Sequence, residues 1–117
     1  MTGSDPNLRE LAARGEYQLL EPLDYMILQH LPDQGTLFAG LYPLGETTPN
    51  LVGKFTPEQR TLGGVDSHFV STRLRVLHIQ GLVLNLRSAK NTGGKRIWQR
   101  TKEASRLVKE WEKNHHE

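Results

Sequence analysis

Apolar residues recur at helical spacing in four separate stretches, with one strand-like stretch between the last two. In residues 1–20, Leu8, Leu11 and Ala12 share a face, so an N-terminal extension carrying a short helix is predicted. Asp5-Pro6 is its expected start and Gly15 its end. The next helix is predicted over 22–32, where Leu23, Met26, Ile27, His30 and Leu31 follow the period and Pro32 stops it. Residues 33–55 read as an irregular insertion. Glycines at 35, 40, 45 and 53 and prolines at 43 and 49 break any long helix. Thr36-Leu37-Phe38 and Leu51-Val52-Gly53-Lys54-Phe55 are expected to be short strands joined through Gly45-Glu46. Residues 56–80 read as helix, glycine turn, helix. Thr56 with Gln59 forms a capping box around Pro57, Gly63-Gly64 breaks the short helix, and Asp66 caps a longer one that ends at Gly81. From 82 the period becomes two. Leu82, Leu84 and Leu86 alternate with Val83, Asn85 and Arg87, and Lys95 to Arg100 can return as a second strand, so 82–100 is a hairpin with a basic tip. Thr101 opens a last helix, 101–114, with the stripe Ala104, Leu107, Val108 and Trp111.

A chain of 117 residues with 36% hydrophobic and 24% charged positions suits one folded domain, 1–117, of the α+β class. No apolar run approaches the ~18 residues that span a bilayer, and the start lacks the pattern of a signal peptide. With no cysteine, disulfides and thiolate chemistry are excluded. A cytoplasmic protein without a membrane partner is expected. The net charge of +2 conceals an uneven distribution. Residues 1–66 hold four Lys/Arg and nine Asp/Glu, a net of −5, and residues 67–117 hold eleven and four, a net of +7. A basic half suits a polyanion, or simply a solvated lysine-rich face.

The predicted helix 66–80 carries the sharpest chemistry. At about 100° per residue, Val70, Leu74 and Leu77 face the core. His68, Ser71, Thr72 and Arg75 fall on or near the opposite side, where no acid interrupts them. Such a face can lie in the major groove of DNA and bond to base edges or phosphates. Arg75 and Thr72 are the expected base contacts. Arg73 sits on the flank, where it can reach nucleic acid or pair with an acid such as Glu58. Ser67 and His68 are placed to meet phosphate, though His68 also reads as a plain surface residue. Asp66 is assigned to capping.

The stretch from Phe55 to Val83 resembles the winged helix-turn-helix superfamily, and within it Val70-Ser71-Thr72-Arg73-Leu74-Arg75-Val76-Leu77 followed by Gln80-Gly81-Leu82-Val83 looks like the recognition helix and first wing strand of MarR- and Lrp-like regulators. The resemblance covers roughly 22–32 and 55–113. It implies a helical core, a basic hairpin wing and a following helix. It also implies a sequence-specific double-stranded DNA-binding protein working as a transcriptional repressor, such as those of phages and mobile elements, at the nucleoid. Helix 66–80 would enter the major groove, and the wing from Arg87 to Arg96 would touch the backbone or minor groove. Arg87, Lys90, Asn91, Lys95, Arg96 and Arg100 are then the wing contacts. A homodimer through the terminal helices is expected to read two half-sites. The 33–55 segment is longer than this pattern needs. It suggests an alternative: a winged-helix protein-interaction module or replication and assembly adaptor that works through its acidic half and residues 33–55.

Other chemistry is poorly supported. Asp66-Ser67-His68 holds the residue types of a catalytic triad, but neighbours on a helix diverge by about 100° and cannot form a relay. His115-His116 lacks metal-site spacing. Gly94-Lys95 is no phosphate-binding loop, because Ala89 stands where its first glycine belongs and Arg96 where its hydroxyl belongs. No enzyme activity, cofactor or metal is expected. His78 and Trp98 read as packing residues.

Overall fold

The computed structural model describes residues 7–20, 22–40, 42–61, 63–87 and 96–114. Helix α1 (Leu8–Ala13) starts at Asn7, whose Oδ1 accepts from the backbone N–H of Arg9 at 3.0 Å. The start expected at Asp5-Pro6 lies outside the described residues. Helix α2 (Leu23–Gln29) follows Pro22 and buries Ile27 and Leu28. Strands β1 (Leu37–Phe38) and β2 (Tyr42–Pro43) pair antiparallel, with Leu37 opposite Pro43.

The expected strand at 51–55 is a helix instead. Helix α3 (Thr48–Gly53) begins at Thr47, whose hydroxyl accepts from the Asn50 N–H at 3.3 Å, and Pro49 sits in its first turn. Leu51 and Phe55, four residues apart, both enter the core. The cap and proline at 47–49 outweigh the strand-like composition of Leu51-Val52. The rest of the insertion still reaches the sheet, at Glu46. Its N–H donates to the Trp98 carbonyl at 3.1 Å and its carbonyl accepts from the Trp98 N–H at 3.0 Å. Gly45 allows this approach, since a Cβ there would lie 2.8 Å from the Trp98 oxygen.

Helix α4 (Pro57–Thr61) has the expected capping box. The Gln59 N–H donates to Thr56 Oγ1 at 3.1 Å and the Thr56 N–H to Gln59 Oε1 at 2.8 Å. Helix α5 (Ser67–Ile79) opens at Asp66, which accepts from the Phe69 N–H at 2.8 Å. It closes at Gly81 with φ +79°, a conformation open to glycine at little cost. Strands β3 (Val83–Arg87) and β4 (Arg96–Arg100) pair antiparallel from Val83–Arg100 to Arg87–Arg96. Helix α6 (Lys102–Asn114) is capped by Thr101, whose hydroxyl accepts from the Ala104 N–H and donates to the Gly81 carbonyl at 3.0 Å. The described residues thus form six helices and two short antiparallel sheets, an α+β architecture. None of these helices is long and apolar enough to cross a membrane.

One core joins α2, α3, α5, β3 and α6 through Ile27, Leu28, Leu51, Leu74, Leu77 and Val108, among others. Three buried polar side chains border it: Asp24, Gln80 and Gln99. Gln80 pairs with both backbone groups of Gln18, accepting its N–H at 2.5 Å and donating to its carbonyl at 3.0 Å. Gln99 accepts from the Gly35 N–H at 3.2 Å and donates to the carbonyls of Thr36 and Leu44 at 2.9 and 2.8 Å. Each amide supplies hydrogen bonds that the irregular segment lacks. Asp24, with no exposed surface, accepts from Arg73 Nε at 3.0 Å and a terminal guanidinium nitrogen at 2.6 Å, and from the Leu20 N–H at 2.8 Å.

Asp24→Ala or Arg73→Ala leaves the opposite charge without its partner, and each should lower stability by about 3–5 kcal/mol in urea unfolding. Asp24→Leu combined with Arg73→Met should recover much of that loss. His30 packs edge-on to Phe55, with centroids 6.1 Å apart. Burial and then the Lys54 charge hold its pKa below the ordinary 6.5, against a smaller opposite effect of Glu46. Its contribution should be intact above pH 6.5 and fall as the pH drops through the lower folded value, because the unfolded chain takes up the proton first. His30→Gln should flatten that part of the stability profile.

Candidate nucleic-acid interface

Helix α5 presents the candidate face because its other face is fully committed to the core. Val70, Leu74 and Leu77 have no exposed surface. Directly opposite, His68, Thr72 and Arg75 are exposed at spacings of four and three residues. They form a line about 10 Å long at 1.5 Å per residue. Ser67 is exposed at the first turn and Ser71 is half-buried at the edge of the line. No acid occurs between Ser67 and Ile79. Among the described residues Arg75 has no carboxylate partner.

Arg73 behaves differently. It lies two positions from Arg75, a turn of about 200° around the helix, so the two arginines point to different sides. Its side chain is only 16% exposed and forms the bidentate pair with Asp24. The partner is on α2, not Glu58. Fully used by an internal carboxylate, Arg73 is left out of the candidate interface. Arg100 is left out for the same reason. Its Nε donates to Asp33 at 2.7 Å and another guanidinium nitrogen to the Leu28 carbonyl at 3.1 Å, with the side chain 20% exposed. The bond from Arg100 Nε and one from the Ser105 hydroxyl hold the Asp33 carboxyl below the usual carboxylate range.

The hairpin contributes Arg96, exposed at the base of β4. The Arg87 backbone pairs with it at the end of β3. Lys90, Asn91 and Lys95 lie outside the described residues, as does the Arg87 side chain. Arg96 borders a cleft of about 360 Å³ with Thr47, Thr48, Pro49 and Asn50. Because α3 packs on α5, this cleft sets polar groups from the insertion near the hairpin and the candidate helix. The strand-like composition of the residues that follow hides Thr48 and Asn50 in the sequence, within the insertion at 33–55. The Thr47-Thr48-Pro49 cap was the signal that marks them. Trp98 packs on the core and lies edge-on to His78 on α5, with centroids 6.1 Å apart.

The interface therefore offers hydroxyl, imidazole and guanidinium groups along a convex helix, with a further cation at the hairpin. No cluster of His, Cys, Asp or Glu suited to a metal occurs among the described residues. Comparison of the chain with protein-family models, curated proteins and solved structures gave no match.

Since the side chains of Thr72 and Arg75 make no hydrogen bond or ion pair among the described residues, Thr72→Ala and Arg75→Ala should each change stability by under about 0.5 kcal/mol in urea unfolding. That outcome separates these positions from Arg73.

Proposed function

We propose that this chain is a sequence-specific double-stranded DNA-binding protein of the winged helix-turn-helix kind, acting as a transcriptional repressor. The supporting observation is the acid-free line of His68, Thr72 and Arg75 opposite a fully buried stripe on α5. The order of α2, α3, α4 and α5 followed by the β3–β4 hairpin and α6 agrees with that reading. In it, α5 enters the major groove, Arg75 and Thr72 meet base edges, and Ser67, His68 and Ser71 meet phosphates. The hairpin, through Arg87, Lys90, Asn91, Lys95 and Arg96, neutralises the backbone. A homodimer through the terminal helices gives each copy one half-site, consistent with half-buried Leu8 and Leu11 on α1 and Leu107 on α6. The working place is the nucleoid of the cytoplasm.

A second reading has its own support. Leu37 and Leu44 are 49% and 39% exposed on the β1–β2 segment. Gln99 binds the backbone at Gly35 and Thr36, just before Leu37, and at Leu44 itself. A rigid apolar projection of this sort suits a protein partner at residues 33–55, as in a replication or assembly adaptor. The two readings use different faces.

Selection on random duplexes should return a near-palindromic motif. Arg75→Ala should weaken binding to that motif by about 1–3 kcal/mol and relax the preference at one base pair. Replacing Lys95 and Arg96 together by Ala should lower the slope of log affinity against log salt by about two units. Binding that ignores salt, or that neither variant weakens, rejects the proposal. A protein partner lost on Leu37→Asp with Leu44→Asp, together with no duplex binding, favours the second reading.

A further inference from the structure

Helix α6 repeats the geometry of α5 with a different set of charges. Ala104 and Val108 are buried on its inner side, and Trp111 stacks on Tyr25 with centroids 5.2 Å apart. Opposite them, Lys102, Arg106, Lys109 and Lys113 follow one another at spacings of four, three and four residues, and all are exposed. The row is about 16 Å long at 1.5 Å rise per residue. Arg106 in its middle is held by Glu103 and, at 3.0 Å, by Glu110. The ammonium groups of Lys102, Lys109 and Lys113 have no carboxylate partner among the described residues. Lys102, Arg106 and Lys109 also line a cleft of about 420 Å³ against Asp33 and Gln34. The one carboxylate in that lining, Asp33, is already bound by Arg100 and Ser105, each at 2.7 Å.

We propose that the Lys102–Lys109–Lys113 row of α6 binds the phosphate backbone of a second duplex segment, so that one protein molecule bridges two stretches of DNA. This inference rests on the DNA-binding reading of α5. DNA carries a charge about every 3.4 Å of axis on each strand, so a straight row of lysines meets several phosphates in succession. The row holds no apolar side chain to anchor a protein partner, and lysine is depleted at the centres of protein interfaces. The inner sides of α5 and α6 enter the same core, but the two helices do not pack closely on each other, so their outer rows are separate surfaces. A straight duplex lying on α5 therefore leaves the α6 row open to another.

The test uses the full chain loaded on an immobilised 20-base-pair duplex (about two helical turns), with capture of a second, labelled duplex as the readout. Replacing Lys102, Lys109 and Lys113 together by Ala removes no ion pair among the described residues, and circular dichroism should match wild type. This variant should bind a single duplex within about twofold of wild type and capture the second about tenfold less at moderate salt. Undiminished capture by the variant overturns the inference. So does a parallel loss of single-duplex binding, which would mean that one duplex covers both rows. Wild type that binds one duplex but never captures a second also overturns it. If wild type then retains poly-glutamate through the same lysines, the row serves an acidic protein. No duplex binding by wild type at all defeats the DNA reading first and this inference with it, a result distinct from the others.

Discussion

The bond between Asp24 and Arg73 fixes which side of α5 meets solvent. A carboxylate with no exposed surface is tolerable only when its charge and its lone pairs are both matched. The bidentate guanidinium and the Leu20 N–H do this, and they tie α2, α5 and the segment before α2 into one unit. With Arg73 anchored inward on the flank and Val70, Leu74 and Leu77 in the core, α5 cannot rotate about its axis without stranding a charge. The outer line of His68, Thr72 and Arg75 is thereby held in one orientation, as any surface that recognises a rigid partner requires.

Two glutamines extend this control to parts of the chain with little regular structure. Gln80 binds the Gln18 backbone as a neighbouring strand would, and Gln99 does the same for Gly35, Thr36 and Leu44. The insertion consequently lies along β4, with Glu46 paired to Trp98 and α3 delivered against α5. These amides are costly to bury unsatisfied and effective when satisfied. The polar groups of Thr48 and Asn50 come near Arg96 through this arrangement, although some 46 residues separate them along the chain.

The uneven charge along the sequence has a partly internal explanation. Arg73 and Arg100 come from the basic half, and their partners Asp24 and Asp33 come from the acidic half. Some of the apparent excess therefore holds the fold together and never faces a ligand. What stays outward among the described residues includes Arg96 on the hairpin and two rows, a mixed polar one on α5 and a lysine row on α6. The repeated spacing of four and three arises because both helices bury one narrow stripe and leave the line opposite it fully solvated.

Local signals settled much of the chain. The caps at Thr56, Asp66 and Thr101, the glycine at 81 and the inward stripe of α5 were all legible, because each depends on residues within a few positions of one another. The α3 helix is not legible in the same way, because its cap and proline compete with a strand-like composition over only six residues. Position on a helical wheel separated Arg75 from the core, but it could not show that Arg73 and Arg100 have carboxylate partners 49 and 67 residues away. By itself, then, the order of residues determined the helices other than α3, the hairpin and the faces they offer. Which charged groups remain available for a partner was decided only by tertiary structure, because pairing and desolvation depend on distances that sequence separation does not encode.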